Sequence, residues 1–138
     1  MGAIVWNESF EIGVEAMDEQ HKRLVEIYNE LHAAMMRGKA HKQMNEILKQ
    51  LVNYTEMHFA AEEKFMASVE FEDLERHATE HEQLLDKIRV FQKKMELDQE
   101  RITKPVLKFL EFWLRSHIQG KDLEYAKAAK EREAGTPA

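Results

Sequence analysis

Two histidines one helical turn apart, with a glutamate between them, occur in the segment HATEH at residues 77–81. Residues four apart share a helix face, so His77 and His81 could bind one metal ion together. The segment also fits the H-x-x-E-H signature of inverted zinc proteases, in which the glutamate, here Glu80, acts as general base. Because so short a pattern arises easily, the rest of the chain must decide which metal chemistry applies.

The amino-acid composition excludes several classes of metal site and of binding partner. The 138-residue chain contains no cysteine, which excludes disulfides, zinc-thiolate sites and iron–sulfur clusters and leaves histidine and carboxylate as metal ligands. The net charge is −6 and the basic residues are scattered among acidic ones, so we expect no nucleic-acid partner. No apolar run is long enough to span a bilayer, and we expect a cytoplasmic protein without membrane insertion.

The elements that must position the histidines are helices. Few glycines and prolines and a 43% hydrophobic content favour an all-α domain. Helix boundary signals are Asp18 as an N-cap, Gly38 as a stop, the acidic start at 71–73, and Thr103 with Pro105. We predict a single domain, 1–138, with an N-terminal arm at 1–17, helices at 18–37, 41–67, 71–96 and 104–129, and a flexible tail at 130–138.

Short connections make consecutive helices antiparallel, which predicts an up-down-up-down four-helix bundle. Following the apolar faces at spacings of three and four places five of the seven histidines inside the bundle, and leaves His32 and His41 outside. The inward polar residues are predicted at one end of the bundle: His21, His58, Glu62, His77, His81 and His117.

So many imidazoles exceed the needs of one tetrahedral zinc and imply two metal ions. Glu62 follows His58 by four residues and could span both ions, whereas Glu63 and Glu80 are predicted to face solvent. A ferritin-type di-iron site would need Glu-x-x-His pairs on the inward faces, and the helices show none there.

Four segments of the chain, taken in order, resemble the motifs of the hemerythrin family, in particular its single-domain bacterial members. They are WNESFEIGVEAMDEQH ending at His21, HFAAEE from His58, HATEH from His77, and HIQGKD from His117. The resemblance implies two non-haem iron ions with an oxo or hydroxo bridge and dioxygen as the ligand. It assigns His77, His81 and His117 to one iron, His21 and His58 to the other, and Glu62 and Asp122 as bridges.

Asp122 enters this set only through the resemblance. It follows His117 by five residues, which in a regular helix places it about 140° away from the face of His117. We therefore predict that the helix is distorted, with Gly120 as the residue that permits the distortion.

The resemblance further implies an apolar dioxygen pocket lined by Leu24, Phe59, Trp113, Leu114 and Ile118, residues that could equally be ordinary core. The function expected first is reversible dioxygen binding for storage, transport or delivery, without catalysis, by a monomer that could supply an oxygen-consuming protein. Two alternatives remain open at this point. One is an oxygen, nitric oxide or iron sensor or redox module acting through a partner, and the other is a zinc hydrolase using HATEH with Glu80 as base.

Overall fold

The computed structural model describes residues 3–38, 41–98 and 104–135 and forms the expected all-α, up-down-up-down four-helix bundle with an extended N-terminal arm. The first three helices of the bundle are regular, and the fourth is divided into three parts by a π-helical segment. The elements are α1 (Glu15–Met36), α2 (His41–Ser68), α3 (Leu74–Asp98), α4 (Lys104–Ser116), the π segment (His117–Asp122) and α5 (Leu123–Gly135).

Left-handed residues end the first two helices. α1 ends at Met36, and Gly38 adopts φ +65° while its N–H donates to the Met35 carbonyl at 3.1 Å. The predicted stop at Gly38 is therefore confirmed. After α2, Glu70 has φ +53° and the Phe71 N–H donates to the Met66 carbonyl at 3.0 Å, which turns the chain directly into the next helix.

The predicted start of the first helix at Asp18 is wrong, because α1 already begins at Glu15. The Asp18 carboxylate does not cap its own helix. It accepts hydrogen bonds from the Ile12 N–H at 2.8 Å and the Gly13 N–H at 3.2 Å, and so fixes the arm to the first turn of α1. Gly13 has φ +86°, a conformation that favours glycine.

The third helix begins at Leu74 rather than at residue 71, because residues 71–73 form the turn that precedes it. The Asp73 carbonyl accepts the His77 N–H at 2.9 Å, so His77 is fixed in the first turn of α3.

The predicted flexible tail is also partly wrong, since α5 continues to Gly135. Its residues are largely alanine, lysine, glutamate and arginine, which are good helix formers. An ion pair between Arg132 and Glu70 attaches this helix to the connection before α3. Residues 136–138 of the tail, and Thr103 at the predicted start of the fourth helix, lie outside the described residues.

The N-terminal arm packs against the bundle. Ile4, Phe10 and Ile12 are buried, and a 3₁₀ turn at Glu8–Phe10 brings Phe10 inward. The Asn29 side chain of α1 holds the start of the arm by two hydrogen bonds of 2.8 Å to the N–H and carbonyl of Ile4.

The buried apolar residues form two clusters. The larger one fills most of the bundle and includes Leu24, Phe59 and Trp113, and the smaller one includes Met17, Met66 and Tyr125. Buried histidines contact both clusters: His81 stacks on Phe59, and His77 lies 5.8 Å from the Tyr125 ring. The polar site is thus enclosed between two apolar regions. Among the helices described, none has the length and apolar content needed to cross a membrane.

Candidate metal centre

All seven polar residues considered as ligands meet at one place inside the bundle. Each of them has at most 4% of its surface exposed. Their ligand atoms form two overlapping groups, and within each group all of these atoms lie within 4.8 Å of one another. The residues are His21, His58, Glu62, His77, His81, His117 and Asp122.

The first three helices contribute by ordinary helical spacing. α1 supplies His21, α2 supplies His58 and Glu62 four residues apart, and α3 supplies His77 and His81 four residues apart. A separation of four brings side chains onto one helix face, so these residues need only regular helices that pack in antiparallel order.

The fourth helix contributes through a distortion. His117 and Asp122 are the first and last residues of the π segment, in which hydrogen bonds close from residue i to i+5 and a side chain recurs on one face after five residues. The His117 Nε2 atom accordingly lies 3.0 Å from Asp122 Oδ1. The predicted distortion is therefore present in the structure.

Gly120 is not required by the sterics of that distortion. A Cβ atom placed on it would meet nothing within 4 Å, and its φ is not in the left-handed range. The prediction that glycine permits the π segment is therefore not supported, and an alanine would fit at this position.

The two carboxylates each present one oxygen to each group. Glu62 Oε1 lies 3.2 Å from His81 Nε2 and 3.4 Å from His117 Nε2. Glu62 Oε2 faces the other side, 3.1 Å from His21 Nε2 and 3.3 Å from His58 Nε2.

Asp122 divides its oxygens in the same way. Its Oδ1 lies 3.2 Å from His77 Nε2 and 3.0 Å from His117 Nε2, while its Oδ2 lies 2.8 Å from His21 Nε2. One group thus combines three imidazoles and the other two, and the carboxylates belong to both.

These donors fit a pair of cations. Although the Nε2 atoms of His58 and His77 and both oxygens of Asp122 have polar neighbours at short range, they make no hydrogen bond of acceptable geometry. The Nε2 atoms of His81 and His117 also face each other at 3.2 Å. Buried polar atoms without hydrogen bonds cost free energy, and lone pairs directed at a shared space are satisfied by metal ions.

Without metal, the carboxylates shift the protonation of the imidazoles. Burial alone would lower the pKa of His21, but its short contacts with the carboxylates of Asp122 and Glu62 raise it to about 9. The pKa of His117 likewise rises to about 10, against the effect of burial, mainly because of the negative charge of the neighbouring Asp122. His58 differs, since burial dominates there and lowers its pKa.

The pKa values of the two carboxyl groups are lowered by the same interactions. Burial would raise the pKa of Glu62, but the surrounding imidazoles, with His58 the largest contributor, hold it well below its usual range. The pKa of Asp122 is also lowered despite burial, mainly by the charge of His117. Both groups are therefore anionic at neutral pH, as ligands for cations must be.

Three further side chains contact the cluster and were missed from sequence. The buried Tyr125 hydroxyl donates to Glu62 Oε2 at 2.6 Å, His58 Nδ1 lies 2.7 Å from Gln20 Oε1, and His81 Nδ1 lies 3.0 Å from Glu63 Oε2. The prediction that Glu63 faces solvent holds in part, since its side chain is 38% exposed, but its carboxylate also contacts His81. The available signal was position: Gln20 and Glu63 adjoin His21 and Glu62, and Tyr125 follows Asp122 by three residues.

Glu80 lies outside both ligand groups formed by the described residues. Its side chain is 28% exposed and lies 3.7 Å from Arg76 and 3.5 Å from Lys121. His32 lies outside the cluster as well, near Tyr28, and the side chain of His41 is not among those described. Nothing in this placement gives Glu80 the position of a general base in the cluster.

The residues considered for the apolar pocket are all buried in the larger apolar cluster, none with more than 3% exposure. Phe59 stacks on the His81 ring at 3.7 Å between centroids with an interplanar angle of 4°, and Trp113 lies 6.1 Å from the His117 ring. The full set is Leu24, Phe59, Trp113, Leu114 and Ile118. The centre therefore has an apolar wall on the side of the main core.

Known proteins are similar to this chain in both sequence and fold. The bacteriohemerythrin of Clostridium acetobutylicum is 31% identical over 125 residues, which cover 88% of this chain and 97% of that protein. A hemerythrin-like protein of Naegleria gruberi is 31% identical over 120 residues, covering 87% and 88%. A crystal structure of wild-type hemerythrin superposes with a TM-score of 0.85 at 28% identity, covering 91% of this chain and 97% of that one.

The family model that describes the Hemerythrin HHE cation binding domain matches residues 12–129. That span includes every residue of the buried cluster, and the expected resemblance is thereby confirmed. The chain belongs to the hemerythrin HHE cation binding domain family.

Proposed function

We propose that this protein binds dioxygen reversibly at a non-haem di-iron centre and performs no catalysis on a substrate. The observation that carries the proposal is the division of the carboxylate oxygens, with Glu62 and Asp122 each offering one oxygen to each histidine group. His77, His81 and His117 would hold one iron, His21 and His58 the other, and the two carboxylates would bridge them.

The ligand count distinguishes the two positions. Three imidazoles and two carboxylate oxygens surround one position, and two imidazoles and two carboxylate oxygens surround the other. The second position therefore has one protein ligand fewer and is where a small molecule would bind. A pair of iron(II) ions would supply the two electrons that reversible dioxygen binding needs.

The side chains of this chain would keep that chemistry reversible. Leu24, Leu114 and Ile118 are buried in the larger apolar cluster and offer no acid or hydrogen-bonding group, so as the lining of a dioxygen pocket they would exclude water and proton donors. The two buried carboxylates also offset part of the charge of two cations in a region of low dielectric. Escape of a reduced oxygen species is thereby disfavoured.

The proposal is tested by loading the chain with iron(II) without air and recording visible spectra through cycles of air and argon. We expect about two iron ions per chain, a coloured adduct in air and bleaching when oxygen is removed. An iron-loaded sample that forms no coloured adduct would contradict reversible dioxygen binding.

Metal analysis separates this function from zinc hydrolysis. A chain expressed with both iron and zinc available should contain two metal ions and not a single zinc, because five imidazoles and two shared carboxylates exceed what one tetrahedral zinc binds. A Glu80→Gln variant should retain full oxygen cycling, since Glu80 lies outside both ligand groups in the described part of the chain.

A further inference from the structure

Two of the buried histidines are held at their outer nitrogens by side chains that belong to neither ligand group. His81 Nδ1 lies 3.0 Å from a Glu63 oxygen, and His58 Nδ1 lies 2.7 Å from the Gln20 amide oxygen. Since a carboxylate or amide oxygen only accepts, each imidazole donates from Nδ1 and directs the lone pair of Nε2 into the cluster.

His81 is fixed on three sides by α2. The Phe59 ring stacks on its face, Glu62 Oε1 lies 3.2 Å from Nε2, and Glu63 Oε2 lies 3.0 Å from Nδ1. Consecutive carboxylates of one helix therefore lie at opposite nitrogens of the same ring. His58 also has a partner at each nitrogen, with Gln20 of α1 at Nδ1 and Glu62 of α2 3.3 Å from Nε2.

The two partners differ in charge. Glu63 is an anion and Gln20 is neutral, although both accept the same kind of hydrogen bond. An anionic acceptor polarises the N–H bond more strongly and makes the opposite nitrogen a better electron donor. Solvent reduces this effect at Glu63 without removing it, since the Glu63 side chain is 38% exposed.

We infer that Glu63 and Gln20 are positioning residues that make the two metal positions electronically unequal, with the three-histidine position the richer in electron density. This inference rests on the proposed di-iron function and extends it to residues outside the ligand set. The carboxylate of Glu63 would favour iron(III) at a position bound by His81, and the amide of Gln20 would orient His58 without adding charge.

Glu63→Gln tests the contribution of charge, because glutamine keeps a hydrogen-bond acceptor of similar shape. The iron-loaded variant should release iron to a chelator about 10-fold faster than the wild type, because the outer partner of His81 loses its charge, and its reduction midpoint potential should rise. Glu56→Gln is the matched control, since it removes a charge on the same helix that pairs with Arg89 at the surface. Equal release rates and potentials in Glu63→Gln and Glu56→Gln would overturn the inference.

Gln20→Glu makes the opposite change and does not depend on how well the first variant folds. A carboxylate beside His58 should lower the midpoint potential and slow iron release. A Gln20→Glu potential equal to or above that of the wild type counts against the proposal.

Histidine nitrogen shifts in the metal-free chain provide a readout that needs no iron. His58 and His81 should both carry hydrogen at Nδ1, and Glu63→Gln should preserve this tautomer for His81. Hydrogen on Nε2 of His81 in the wild type would overturn the positioning role. If instead the tautomers and potentials behave as expected but no dioxygen adduct forms, the proposed function fails and the positioning role stands.

Discussion

The fourth helix of the bundle differs from the first three in how it presents polar residues. α1, α2 and α3 are regular, and their paired residues, His58 with Glu62 and His77 with His81, are four apart. The fourth places His117 and Asp122 together although they are five apart, by forming a π segment. In a regular helix only residues of one face point toward the cluster. A π turn changes the direction in which the side chains after it point, so a residue from another face can reach the cluster. The cluster therefore depends on three standard elements and one exception.

The largest expected effect comes from removing the residue that only the π segment brings inward. Asp122→Ala should weaken iron binding by more than about 100-fold, because loss of an outer partner alone costs about 10- to 100-fold and this carboxylate faces both histidine groups. Metal analysis and circular dichroism would measure loading and folding. Glu124→Ala, an exposed position two residues later, serves as the control, and equal iron loading in the two variants would contradict the role of Asp122.

The next largest effect is expected in how the free energy of unfolding of the metal-free chain depends on pH, to which a regular helix and the π segment each contribute one histidine. The pKa of His21 on α1 rises from 6.5 to about 9 and that of His117 in the π segment rises to about 10, so both groups stabilise the folded chain fully below pH 6.5. The free energy of unfolding should fall as pH rises through 9 to 10, while His58, whose pKa is lowered, acts in the opposite sense.

At the acid end, the lowered pKa values of Glu62 and Asp122 stabilise the folded chain above their ordinary values of 4.5 and 3.8, and this stabilisation is lost as pH falls below them. Urea unfolding at a series of pH values measures both limbs. A metal-free chain whose stability is unchanged between pH 6.5 and 10 would contradict the assignment of His21 and His117.

A smaller effect on stability is expected from removing the contact between Tyr125 of α5 and Glu62. Tyr125→Phe removes the hydroxyl that donates to Glu62 Oε2 and should lower the free energy of unfolding by about 1–3 kcal/mol, since the acceptor is buried. Chemical unfolding would measure the change, with Tyr54→Phe on α2 as a control outside the cluster. Equal effects of the two substitutions would show that the contact between α5 and Glu62 contributes nothing.

The smallest effect is predicted at Gly120, inside the π segment. Gly120→Ala should preserve iron loading and raise the free energy of unfolding by about 0.4–1 kcal/mol, because a Cβ meets nothing within 4 Å and the unfolded chain becomes less free. Thermal unfolding and metal analysis test this together. A loss of iron on Gly120→Ala would restore glycine as the cause of the distortion.

Helical periodicity alone determined most of what the regular helices contribute. Spacings of three and four placed His21, His58, Glu62, His77, His81 and His117 on inward faces, and the antiparallel order placed them at one depth. These inferences succeed because a regular helix repeats its geometry at every residue. Helix ends were less well predicted, as at Asp18, because its carboxylate bonds to the backbone of the arm instead of capping α1.

Asp122 marks the limit of that reasoning. Spacing directs it away from His117, so only resemblance to known motifs suggested it as a ligand, and only the tertiary structure shows the π segment that brings it inward. The contacts of Glu63, Gln20 and Tyr125 were likewise decided by packing, because each joins a side chain to a different helix. The sequence by itself set which helix faces are polar, whereas the meeting of those faces, and the one turn that departs from regular geometry, required the folded chain.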